Sequence, residues 1–128
     1  MTDEREARIE AMAAEFRSKG ITAPEPSTLE WMRLVVQKAH AEGRLIGHTP
    51  VDHDRTTPDR FVGCALGQIG HADPVRMKAD SFMFMPMAIP RSVRAQITYA
   101  NNSMAAEIFG PVTDPQPIFD VIDAWGRV

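Results

Sequence analysis

The sequence predicts an all-α fold: a compact bundle of about five helices around a central helix containing glycine and cysteine, with an irregular Met/Phe-rich segment. Apolar residues recur at helical spacing along most of the chain. Gly63, Gly67 and Gly70 fall at i, i+4 and i+7, one bare stripe on a helix that also carries the single cysteine, Cys64. Between Phe82 and Pro90 all periodicity stops.

The first helix buries Ile9, Met12, Ala13 and Phe16. Acidic residues crowd its first turn, Arg17 and Lys19 sit in its last, and Gly20 stops it. After the joint Ala23-Pro24-Glu25-Pro26, Ser27 and Glu30 have capping-box spacing for a second helix. That helix buries Met32, Val35, Val36 and Ala39 and ends at Gly43. A polar loop, His48 to Thr57, follows.

Thr57 as N-cap and Pro58 at the first helical position are expected to start the glycine-striped helix. Val62, Ala65, Leu66 and Ile69 form a second apolar stripe on it. The alternative for Phe61 to Leu66 is a buried strand; length and the capping pair favour helix. Glycine inside a helix costs roughly 1 kcal/mol relative to alanine, so three together call for close packing of another element.

Asp73-Pro74 starts a short helical turn. Pro90 or Arg91 opens a helix with Val93, Ile97, Ala100 and Met104 aligned, interrupted near Asn101-Asn102-Ser103. Asp114-Pro115 starts the last helix, which turns Ile118, Val121, Ile122 and Trp125 inward until Gly126.

A chain of 128 residues is one domain, residues 1–128. Its net charge of -3 argues against nucleic acid as a partner. One cysteine leaves no internal disulfide and fits a reducing compartment. The N-terminal residues lack the pattern of a secretory signal, and no apolar run approaches a bilayer span. A cytoplasmic protein without membrane contact is expected.

The succession of motifs resembles a family of short helical proteins from actinobacteria and their phages, a domain of unknown function. Its members carry a Cys-Ala-x-Gly-Ala helix, then an Asn-Asp pair after a further helix, then a closing helix. Cys64-Ala65-Leu66-Gly67 matches; Gln68 replaces the alanine, and Asn101-Asn102 stands where Asn-Asp is expected. The resemblance spans roughly residues 29 to 125. It implies a helical fold and a phage connection, and brings no activity with it.

Cys64 is the candidate nucleophile, with His71 and Asn101 or Asn102 as papain-like partners. In a regular helix Cys64 and His71 lie roughly 10 Å apart along the axis, too far for the one to activate the other. His48, Asp52, His53 and Asp54 are the metal-competent cluster, and with Cys64 or His71 they have the ligand types of a zinc site. His-x4-His in a loop matches no strong signature, so no cofactor is expected. A small hydrolase or metal-dependent enzyme using Cys64 or the His48/His53 loop is the alternative function.

The first reading is non-catalytic. Phe82, Met83, Phe84, Met85 and Met87 make an apolar run that Pro86 and Pro90 keep from becoming a helix. Unbranched thioethers adapt to irregular surfaces and are over-used at binding interfaces. The expected function is therefore a small interaction module that binds another protein through this segment, a phage-encoded modulator of a host or defence component. A homodimer is one form such binding takes. The competing reading is a segment threading back across the core.

Overall fold

The computed structural model describes residues 2–48, 61–81 and 83–128. Within them the chain is all-α, with helices α1 (Thr2–Ser18), α2 (Pro26–Ala41), α3 (Ala65–Ala72), α4 (Pro74–Met77), α5 (Arg91–Ser103) and α6 (Gln116–Gly126). Among the described residues the extended pieces join by isolated bridges, Leu45 to Gly63, Ile46 to Pro111, Ala79 to Pro86 and Ala105 to Val112.

The apolar stripes read from the sequence are the buried faces. Ile9, Ala13 and Phe16 of α1, Met32, Val36 and Ala39 of α2, and Val93, Ile97 and Ala100 of α5 all enter one core. Met12 and Val35 lie at its margin. α6 meets α1, α2 and α5, which is why nearly its whole middle, from Ile118 to Val121 and on through Trp125, is buried. Trp125 Nε1 donates to the carbonyl of Thr22 at 3.0 Å, fixing the α1–α2 joint to α6.

Helix ends follow local chemistry. α1 and α2 are each followed by a glycine with positive φ, Gly20 at 73° and Gly43 at 71°, a conformation costing other residues roughly 1–2 kcal/mol. Asp73 Oδ1 accepts from the Arg76 N–H at 3.0 Å and starts α4. The capping box expected at Ser27 does not form: α2 begins at Pro26, with Glu25 as an N-cap that makes no side-chain bond. The helix containing Asn101 is not interrupted there, and runs on to Ser103.

α3 is central, buried from Ala65 to Gly70, but it starts later than the sequence suggests. Gly63 is not helical. Its N–H donates to the Arg44 carbonyl at 3.0 Å, and its own carbonyl accepts from Ile46 N–H at 3.1 Å. Neither a helix nor a strand over Phe61 to Leu66 forms: Gly63 makes an isolated bridge to Leu45, and the helix begins at Ala65. Pairing outcompetes helix here because Arg44 to Gly47 lies alongside, itself bridged to residues 110–112 on its other edge. Thr57 and Pro58, the expected start, lie outside the described residues.

Candidate functional site

Gly70 is the point where the methionine-rich segment meets α3. A Cβ on Gly70 would sit 1.8 Å from the carbonyl oxygen of Phe84 and 2.8 Å from its carbonyl carbon. Backbone lies against backbone here, and the packed element is the segment after α4 rather than another helix; Gly63, outside the helix, takes no part in it.

Phe84 reaches that position with φ of 56°, a conformation a bulky residue adopts only when its surroundings impose it. Several contacts do so. Asp80 Oδ1 accepts from the N–H groups of Met83 at 2.5 Å and Phe84 at 3.3 Å. The Phe84 ring meets His71 edge-on at 4.8 Å and Phe61 edge-on at 5.6 Å, while Phe61 and His71 stack at 4.0 Å. Ala88 N–H donates to the Met77 carbonyl, and Ile89 is fully buried.

The structure thus divides the methionines that the sequence groups together. Met85 is half-buried and packs on the core. Met83 and Met87 remain exposed, at 37% and 56%. Part of the segment threads across the core and part faces solvent. Phe82 lies outside the described residues.

Cys64 stands one residue before α3 and is buried. A helix N-terminus ordinarily favours a thiolate, and the N–H groups of Leu66 and Gly67 act in that direction. Burial outweighs them and pushes the thiol's pKa up, so Cys64 is a protonated thiol at neutral pH. His71 is committed to its two phenylalanines. Burial, then the nearby Arg44 charge, lowers its pKa. A neutral imidazole packed between rings and a protonated, buried thiol have the reverse of the electrostatics of an activated pair.

Asn101 does approach Cys64, in another role. Fully buried on α5, its Oδ1 accepts the N–H of Ala65 at 3.1 Å, capping α3 from a different helix. Its Nδ2 donates to the Ile46 carbonyl at 3.0 Å and to Asn102 Oδ1 at 3.1 Å. Asn102 Oδ1 also accepts the backbone N–H of His48 at 2.7 Å. Gln68 completes the junction. Its Nε2 donates to the carbonyls of Arg44 at 2.7 Å and Phe61 at 3.1 Å, and its Oε1 accepts from Arg44 Nη1 at 3.2 Å.

Sequence reasoning missed these structural roles, although a signal existed. Asn101 follows Ile97 by one turn on a buried stripe, and Gln68 sits in a helix apolar on most sides. A polar residue on a core face needs hydrogen-bond partners, and here they are backbone groups.

His48 is exposed with φ of 69°, while His53, Asp52 and Asp54 lie outside the described residues. Among the described residues no group of three His, Cys, Asp or Glu side chains is placed to hold a metal ion. Nor is any described helix long and apolar enough to cross a membrane. No protein-family model matches the sequence, and no curated protein or solved structure matches it.

Proposed function

We propose that this chain is a non-catalytic interaction protein that binds another protein through the segment carrying Met83, Phe84, Met85 and Met87. The observation that carries the reading is the exposure of Met83 and Met87 on a backbone held at both sides, by Phe84 against Gly70 and by the buried Ile89. Exposed thioethers on a fixed support adapt to a partner while the support loses little conformational entropy. The finer reading, a phage-encoded modulator of a host or defence component, draws only on the short Cys64–Gly67 and Asn101–Asn102 motifs.

The test is a charge-insertion series followed by circular dichroism, sizing and capture of partner proteins. Met83→Glu with Met87→Glu is expected to leave the helical signal intact and abolish complex formation. Leu34→Glu, at an exposed apolar site on α2, is the control that keeps it. A complex that survives the double change would overturn the proposal. Loss of a self-assembly instead of a heterologous complex would identify the partner as a second copy.

A further inference from the structure

We propose that the groove between α1 and α5, floored by α6, is a binding site for a small amphipathic anion, a carboxylate on an apolar body. It shares no residue with the methionine segment. α1 and α5 each pack against α6 but not extensively against each other, and a cavity of about 370 Å³ lies between them. That volume falls toward the lower end of small-molecule sites, roughly 300–1,000 Å³.

The lining is mostly apolar. Met12 forms part of one wall, Ala100 and Tyr99 the other, and Val121 part of the floor. Tyr99 is 74% exposed although it stands beside the buried Ala100.

The charges select the ligand's head group. Asp120 reaches the floor, but its Oδ1 already accepts from Arg5 Nε at 2.8 Å and Gln116 Nε2 at 2.9 Å, so Arg5 cancels its charge. Arg8, one turn further along α1, also lines the groove. Among the described residues it makes neither an ion pair nor a side-chain hydrogen bond, unlike Arg5 and Arg17 on the same helix. One uncompensated guanidinium beside an apolar groove matches a carboxylate with an apolar tail.

Binding of 8-anilinonaphthalene-1-sulfonate, followed by fluorescence and competed with decanoate or decanol, tests the proposal on the full chain. Saturable binding is expected, with decanoate displacing the probe about tenfold more effectively than decanol. Arg8→Gln should remove that preference, and Ala11→Trp should abolish binding by filling the groove from an exposed wall position. If Ala11→Trp loses helical signal, Gln96→Trp on the opposite wall gives the same reading. Met83→Glu with Met87→Glu should leave probe binding unchanged. Absence of saturable binding, equal displacement by decanol, or binding that survives the filled groove would each overturn the assignment. So would loss of binding in the methionine variant.

Discussion

Along α1, α2, α5 and α6 the chain is held by apolar stripes facing one core, whereas around α3 polar side chains hold extended segments by their backbone groups. The two regions differ in what they tolerate. Apolar burial is non-directional, so a smaller side chain costs roughly the lost area and cavity. A hydrogen bond to a buried backbone group has a fixed geometry, and removing its partner leaves that group without water or replacement. The α3 junction should therefore be the less forgiving half.

The sharpest contrast lies within α5. Asn101→Leu strands the buried Ala65 N–H and the part-buried Ile46 carbonyl, and at roughly 1–3 kcal/mol for a buried group the expected loss is about 3 kcal/mol. Ile97→Val, one turn earlier, should cost about 1 kcal/mol. Equal losses in urea unfolding would erase the distinction between the two regions.

Gly70→Ala comes next, because the added methyl meets the rigid backbone of Phe84 rather than a movable side chain. Overpacking of this kind costs about 1–3 kcal/mol, read as a lowered midpoint of thermal unfolding. Unchanged stability would mean that Phe84 is not seated on α3.

Cys64→Ala should lose about 1 kcal/mol, as expected of a small apolar side chain in the core. The native thiol should label slowly at neutral pH and rapidly in denaturant. Rapid native labelling would contradict both its burial and its raised pKa.

His71 gives the junction a pH dependence near neutrality, whereas in the helical frame the Arg127 hydrogen bond lowers the pKa of Glu6, which acts at more acidic pH. Its folded-state pKa lies below the unfolded value of about 6.5, so the unfolded chain takes up the proton first. The His71 contribution is fully present above about pH 6.5 and is lost as pH falls through the folded-state pKa. Comparing His71→Phe with the native chain across that range should show the difference, and parallel curves would refute it.

The smallest effect is expected at Asn102→Asp. Asn102 Oδ1 serves only as an acceptor, for Asn101 Nδ2 and the His48 N–H, and a carboxylate oxygen does the same. A change within about 0.5 kcal/mol would fit.

The same division separates what was legible in the sequence from what was not. Period and punctuation placed α1, α2, α5 and α6, because each presents one apolar face and ends at glycine or begins after proline. The start of α3 was misplaced, because a β-bridge to Leu45 is a long-range event with no local signature. At the candidate site, Gly70 has the close backbone neighbour expected of the glycine stripe, whereas Gly63 lies outside the helix and belongs to no stripe. That the neighbour is Phe84 depends on a left-handed residue no periodicity encodes. Asn101 looked like a partner for Cys64 chemistry because residue type was visible and its hydrogen-bond partners, at positions 46 and 65, were not.

The packing of α1 on α6 has a consequence for how the chain acquires its structure. Arg5 bonds Asp120, Arg127 bonds Glu6, and Thr22 receives Trp125, contacts that each close a loop of more than a hundred residues. α1 rests chiefly on a helix that leaves the ribosome last among the six, so during synthesis it lacks its main packing partner until residues 116–126 emerge. Folding of this bundle is accordingly a late event in synthesis, and slower than expected for helices that each dock on their sequence neighbour.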